Sequence, residues 1–351
     1  MRILVIGNMG YVGPVLCEHL RRTRPDATLI GYDSGLFGHC LTTDHFPERV
    51  LDTQHFGDAR NLSAALFENI DAVVYLAAVS NDPMGRDFAK PTGEINHEAA
   101  VHCAGLAAEA GVSHFVFASS CSVYGYAEDA RARAEGDPID PLTAYARSKI
   151  AAEHGLAALA DSGMTISCLR FATACGMSPR LRLDLVLNDF VAGAVASGQI
   201  TVLSDGTPWR PLIHVRDMAR AIDWAVDRPT EAGGASLVVN VGSDSWNLQV
   251  ADLAHAVAGV IDGTTVSIAT DAPPDKRSYR VDFSLFQSLA PDHQPLETLD
   301  STIQGLREGL AAIGFNDPAF RESLLMRLRA LRALIDAGRL SPDLRWTDHA
   351  D

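Results

Sequence analysis

The sequence predicts an α/β protein: a doubly wound parallel sheet with a smaller mixed α/β lobe toward the C-terminus. Three observations predict it. Short apolar runs alternate with helical patterns through the first half of the chain, the order of elements that right-handed crossovers wind into a parallel sheet. The first run, residues 2–6 (Arg-Ile-Leu-Val-Ile), shows no polar alternation, as expected of a strand buried on both faces. It ends in Gly7-Asn8-Met9-Gly10-Tyr11-Val12-Gly13, with glycines where a strand must turn sharply into a helix.

A helical pattern runs from Tyr11 to Arg24, and Thr28 to Tyr32 reads as the second strand. Further strands are expected at 72–76, 114–118 and 165–170, with helices at 96–110 and 144–161. After Ser178 the alternation loosens. Helices are expected at 183–197, 215–226 and 250–261, and strands at 200–203 and 237–241. Beyond Pro273-Pro274, helices are expected at 301–313 and 318–337. Residues 1–178 therefore read as the main domain and 179–351 mainly as the lobe, with about 212–242 returning to the core. The last helix carries an apolar stripe, Leu324, Leu325, Leu328, Leu331 and Ile335, which is expected to cover its own lobe.

The chain has 351 residues and a net charge of −15. So acidic a surface repels nucleic acid and anionic membranes, and neither is an expected partner. No apolar run is long enough to span a bilayer. A strand that starts at Arg2 leaves no room for a signal peptide. Cys17, Cys40, Cys103, Cys121, Cys168 and Cys175 form no C-x-x-C pair, which fits reduced thiols in the cytoplasm. The histidines lack H-x-x-x-H spacing, so no metal is expected.

The glycine run carries chemistry by its position. The first glycine permits the turn, the second lets the backbone approach a pyrophosphate, and the third allows close packing of the helix that follows. Free N–H groups at that helix's start suit an anion. Asp33, at the end of the second strand, is placed to accept hydrogen bonds from both adenosine ribose hydroxyls. It would repel a 2′-phosphate, and Ser34-Gly35-Leu36 adds no arginine, so NAD is favoured over NADP. Asp58, before Ala59, is either near the adenine or a helix cap. Tyr145 and Lys149 stand at i and i+4, on one helix face. An ammonium there is expected to lower the phenol's pKa, which suits proton exchange with a hydroxyl during hydride transfer. Ser119-Ser120-Cys121-Ser122 follows a strand, so its hydroxyls reach the carboxyl edge of the sheet, where ligands bind.

With these motifs in this order, the chain resembles the extended short-chain dehydrogenase/reductases, specifically the NAD-dependent nucleotide-sugar epimerase/dehydratase family. The resemblance implies a Rossmann domain with NAD as cofactor, Tyr145 as acid/base, Lys149 as its partner at the ribose, and Ser120 as the catalytic hydroxyl. It implies cofactor contacts from Gly7, Met9, Gly10, Tyr11, Val12, Gly13, Asp33, Asp58, Ala59, Leu76, Ala77 and Ala78, besides Tyr145 and Lys149. Asn96 resembles the family's helix asparagine. Expected substrate contacts are Ser122, Thr173, Arg182, Asn188, Arg210 and Arg277, the arginines suiting a diphosphate. A homodimer through helices 96–110 and 144–161 is also implied.

The departures from the family pattern narrow the activity. Sugar 4,6-dehydratases of the family carry an Asp-Glu pair just after the catalytic hydroxyl. Here Cys121 and Ser122 stand there, so water loss lacks its acid; Cys121 reads as a small packing residue. Thr173 replaces an asparagine usual in galactose-type epimerases, which leaves the sugar open. The expected activity is epimerisation of a nucleoside-diphosphate sugar, at C4, through a 4-keto intermediate. The alternatives are an NDP-4-ketosugar reductase and a non-catalytic NAD-binding regulator, the latter at odds with an intact Ser120, Tyr145 and Lys149.

Overall fold

Strand β1 (Arg2–Ile6) and helix α1 (Gly13–Thr23) flank the glycine turn, followed by β2 (Thr28–Asp33), β3 (Thr53–Phe56) and β4 (Ala72–Tyr75). Two short helices, α2 (Asp82–Asp87) and α3 (Ala89–Gly93), and a π-helical segment, Glu94–Glu98, lead into α4 (Ala99–Glu109). Then come β5 (His114–Ser120), α5 (Ala144–Ala157), β6 (Thr165–Phe171) and β7 (Thr173–Cys175). The second half holds α6 (Val186–Ser197), β8 (Gln199–Val202), β9 (Trp209–His214), α7 (Val215–Ala225) and β10 (Ser236–Val241). It ends with β11 (Asn247–Gln249), α8 (Val250–Val260), β12 (Thr265–Ile268), α9 (Ser284–Leu289), α10 (Leu299–Ala312) and α11 (Arg327–Asp336). This computed structural model describes residues 1–126, 131–272 and 277–347. Pro273 and Pro274, noted in the sequence, lie outside the described residues.

Seven strands form one parallel sheet in the order β10-β6-β5-β4-β1-β2-β3. The chain reverses direction across the sheet between β1 and β4, which opens a crevice at their carboxyl ends. The apolar strands explain the two-sided cover. Ile3 and Val5 face a core with Leu16 and Leu20 of α1 and Ile222 of α7. Leu4 and Ile6 face the other, with Ala100 and Ala104 of α4 and Leu156 of α5. Alternate residues of one strand thus feed opposite cores.

The lobe is built from α6, α8 and α10 around Leu187, Val191, Leu253 and Leu306. Its seam with the main domain is tightly bonded. Tyr11 donates its hydroxyl to the Gly176 carbonyl at 2.5 Å, and the Ser178 hydroxyl donates to the Tyr11 carbonyl at 2.6 Å. Arg180 meets Glu48 at 2.5 and 3.1 Å with both side chains buried. Losing one partner of such a pair costs about 3–5 kcal/mol, because the other is stranded. The lobe is therefore docked through the same loop that begins the cofactor site.

Two expectations need correction. Residues 318–326 are not α-helical: Asp317 accepts from the Ala319 N–H at 2.8 Å and Ser323 from the Leu325 N–H at 3.2 Å. Such side-chain bonds compete with helix formation, and α11 starts at Arg327. The apolar stripe divides: Leu324 is exposed, Leu325 packs against the lobe core as expected, and Leu328, Leu331 and Ile335 pack with Val79, Met84 and Phe88 of the main domain. Of residues 212–242, α7 and β10 join the core, and β9, which pairs with β7 and β11 in a separate small sheet, lends it Ile213. Among the described residues, no helix is long and apolar enough to cross a membrane.

Candidate active site

A cleft of about 1040 Å³ lies at the carboxyl ends of the parallel strands, at the upper end of ordinary ligand pockets. Its floor is set by Gly7, which has φ +88° and no space for a side chain: a β-carbon would lie 2.4 Å from the Ala77 nitrogen. Gly13 is equally confined, against the Asn8 carbonyl at 2.2 Å. That contact is within the loop, not with a strand as the sequence suggested. Gly10 differs, since a β-carbon there would meet only the Gly7 carbonyl, at 3.4 Å. It is the glycine past which a ligand can approach the backbone. Helix α1 starts here with no acidic residue in its first turn, so its N–H groups are available to an anion.

Asp33 closes the turn from β2. It accepts from the Met9 N–H at 2.9 Å and the Gly35 N–H at 2.7 Å. Burial raises its pKa, while those two backbone bonds and Arg180 oppose the rise. A carboxylate has about four acceptor sites, so two remain for ribose hydroxyls. Asp58 lines the cleft, but it acts as the cap of a short turn, accepting from the Arg60 N–H at 2.9 Å, and it pairs with the Arg60 guanidinium at 2.6 Å. It therefore caps that turn while remaining in the cleft wall. Met9 contributes through its backbone and does not line the cleft.

The side chains expected to be catalytic come from β5 and α5. Thr143 caps α5, accepting from the Ala146 N–H at 3.1 Å. This places Tyr145 in the first turn and Lys149 one turn on. Ser120 ends β5, and its hydroxyl donates to the Ser122 hydroxyl at 2.9 Å. Lys149 donates to the Ala118 carbonyl at 2.6 Å and sits 4.6 Å from the Phe117 ring centroid and 5.6 Å from that of Tyr145. Ser120, Ser122, Tyr145 and Lys149 all line the cleft.

Electrostatics in this corner differ from the sequence expectation. Burial pushes the Tyr145 phenol up to about 12 and Lys149 down to about 7. Desolvation disfavours both charged forms, and it outweighs any help Lys149 gives the phenolate. What opposes the rise at Tyr145 is a hydrogen bond with Ser120, followed by the charge of Arg182. Glu153 supports the charge on Lys149. The Cys121 thiol is buried, donates to the Arg170 carbonyl at 3.0 Å, and is pushed well above its usual range by burial. Burial and a raised pKa are the features of a packing cysteine.

The remaining expected contacts separate. Val12, Ala59, Leu76, Ala77, Ala78, Thr173, Arg182, Arg210 and Arg277 line the cleft, as do Tyr11 and Gly10. Asn188 does not. It is fully buried, accepting from the Gly176 N–H at 2.9 Å and donating to the Arg182 carbonyl at 2.8 Å and toward Tyr11 at 3.3 Å. Its amide holds the lobe seam, so it shapes the cleft from behind. Arg182 pairs with Asp184 at 2.9 Å, and Arg277 with Asp82 at 2.7 Å. Asn96 is buried and clamps Val79, accepting from its N–H at 2.8 Å and donating to its carbonyl at 3.1 Å; it also donates to Ser148 on α5 at 3.0 Å.

Several cleft residues escaped the sequence reading. Tyr279, buried and two residues past Arg277, feels both Arg210 and Tyr145. Asp82 follows Asn81, which caps α2 by accepting from the Met84 N–H at 2.8 Å. The Asn-Asp-Pro order at 81–83 is a helix-start signal that pointed to that turn. Leu328 and Leu331, read in the sequence only as part of an apolar stripe, also line the cleft, as does Leu344, which no motif marks.

A model of the NAD dependent epimerase/dehydratase family matches residues 3–242. The chain belongs to that family. It is an enzyme, and NAD is its cofactor. The epimerase/dehydratase chain is 28% identical over 251 residues to YtcB of Bacillus subtilis (strain 168), named an uncharacterized UDP-glucose epimerase. That alignment spans 69% of this chain and 77% of the relative. The structure of MoeE5 with UDP-glucuronic acid and NAD matches with a TM-score of 0.75 at 25% identity, over 89% of this chain and 99% of that one. TunA, an NAD-dependent NDP-hexosamine 5,6-dehydratase of tunicamycin biosynthesis, matches with a TM-score of 0.76 at 22% identity, over 91% and 99% of the two chains. That likeness shows the fold.

The glycine turn, the open side of Gly10 and the remaining acceptor sites of Asp33 fit NAD in this epimerase/dehydratase. Replacing Tyr145 with Phe should remove the proton donor with little change in shape. Turnover should fall by about 10²–10⁴-fold, with NAD binding retained in equilibrium dialysis. Activity within about threefold of wild type would contradict the role of Tyr145.

Proposed function

We propose that this enzyme epimerises the sugar of a nucleoside-diphosphate sugar at C4, returning to the sugar the hydride it removed. The observation that carries the reading is the cleft's set of hydroxyls, Ser120, Ser122 and Tyr145 beside Lys149, with no acid in the two positions after Ser120. Asp82 and Asp184 also line the cleft, but each is held by an arginine. The names of YtcB and MoeE5's ligands support a nucleotide sugar as substrate. Arg182, Arg210 and Arg277 are the groups suited to its diphosphate.

NAD, when bound, supplies the hydride acceptor. Tyr145, in its phenolate form, takes the O4 proton as C4 is oxidised, and the resulting phenol gives that proton back on return. Ser120 hydrogen-bonds the same oxygen and holds it toward Tyr145. Lys149 anchors the ribose side and contributes positive charge. With no acid at Cys121 or Ser122, the 4-keto sugar is not diverted into water loss. It turns over in the cleft and is reduced on its other face. The cytoplasm is the proposed compartment.

Incubation with a panel of nucleotide sugars, followed by separation of the products, tests this reading. A C4 epimer formed with no net NADH is expected. A dehydrated product, or stoichiometric NADH consumption with a 4-keto sugar and no epimer, would contradict it.

The proposed assembly is a homodimer through the outer faces of α4 and α5. These helices already approach closely, since a β-carbon on Gly155 would lie 2.5 Å from Val101, and small residues line both. Light scattering should give twice the monomer mass of 37.6 kDa at micromolar concentration. A stable monomer would refute it.

A further inference from the structure

Residues 327–347 lie beyond the part of the chain that matches the family, yet they return to the cofactor domain. After α11, the chain folds on itself: the Ser341 N–H donates to the Arg345 carbonyl at 2.8 Å, and Leu340 pairs with Trp346. Leu344 sits at the tip with φ +55°, a backbone state that a leucine rarely adopts. It is nevertheless 3% exposed, packed with Val79, Met84 and Phe88.

The tip is gripped at several points. Arg60, itself held by Asp58 and Glu94, donates to the carbonyls of Asp343 at 2.8 Å and Leu344 at 3.1 Å. Arg345 reaches Asp58 at 3.3 Å. The Trp346 indole N–H donates to the Ser34 carbonyl at 2.6 Å, and Ser34 is the residue after Asp33. These anchors fall on the loops that follow β2 and β3, at the adenosine end of the cleft. Leu344 and Leu331 form part of the cleft wall there.

The start of the strap adds a cation. Arg327 lines the cleft, is 1% exposed, and donates through Nη2 to the Arg180 carbonyl at 2.7 Å. Its guanidinium lies 4.8 Å from the Phe37 ring centroid, and among the described residues its buried Nη1 has no hydrogen-bond partner. Burial and the neighbouring Arg182 and Arg180 hold it down at about 10. An unsatisfied buried donor is costly, and a cofactor's pyrophosphate is the chemistry that would satisfy it.

We propose that this C-terminal strap, residues 327–347, is part of the NAD site: Arg327 faces the pyrophosphate and the tip closes the adenosine end, so that NAD leaves only when the strap opens. The inference rests on NAD dependence and not on which carbon is epimerised. It also fits a redox-neutral cycle, which needs no cofactor exchange between turnovers.

Purified protein loaded with NAD is mixed with excess isotopically labelled NAD, and exchange of the bound cofactor is followed by mass spectrometry. Wild type should exchange slowly. Arg327→Met and Trp346→Ala should each speed exchange by at least about tenfold, the effect of losing one well-made polar contact. A chain ending at Arg339 should exchange faster still; should it fail to fold, the half-exposed Trp346 site still decides. Amide hydrogen exchange of residues 340–347 should slow when NAD binds. Tightly bound NAD that exchanges equally in wild type and both variants overturns this proposal alone, as does hydrogen exchange of the tip that ignores NAD. Protein that binds no NAD overturns the cofactor assignment as well.

Discussion

The absence of a side chain at Gly7 is the constraint on which the site depends. It lets the end of β1 touch the end of β4, and the Leu76 and Ala77 N–H groups both donate to the Ile6 carbonyl, at 2.8 and 3.1 Å. The crevice between two neighbouring strands thereby gains a continuous backbone floor. From that floor the chain runs to Val79, which Asn96 holds from both sides, and Asn96 in turn bonds Ser148 on α5. The Ser148 hydroxyl returns to the Tyr145 carbonyl at 2.7 Å. A contact with no room for a methyl group is thus linked, through named hydrogen bonds, to the helix that carries Tyr145, the proposed acid/base.

Burial sets the chemistry of that helix. One environment moves Tyr145 and Lys149 in opposite directions because each is pressed toward its neutral form. Ser120 and Arg182 act against the shift at Tyr145, so the proton's affinity depends on a strand end and on the lobe together. The protein carries a net charge of −15, yet its cleft gathers arginines, most of them balanced by a carboxylate such as Asp82 or Asp184. Arg182 thus joins the lobe electrically to Tyr145, as Tyr11 joins it mechanically to the main domain through Gly176.

Much of this was legible in the sequence because the determining signals are local. The central strands are apolar on both faces, the glycines sit where the turn must be, and Tyr145 and Lys149 share a helix face. What was not legible depends on residues far apart in the chain. Asn188 reads as a polar helix residue available to substrate, and only the docking of the lobe commits its amide to Gly176 and Arg182. The stripe on α11 is apolar whatever it covers, and nothing local tells that Val79 and Met84 lie beneath it. The effect of Lys149 on Tyr145 was misjudged because spacing reports proximity but not desolvation.

The central claim is that each sugar receives back its own hydride. The most direct measurement is a crossover experiment, with one substrate deuterated at C4 and a second, unlabelled there but carrying carbon-13 elsewhere, epimerised in the same tube. Mass spectrometry of the products should show deuterium confined to the molecules without carbon-13, with none lost to solvent. Deuterium shared between the two product populations, or missing from both, would contradict the account.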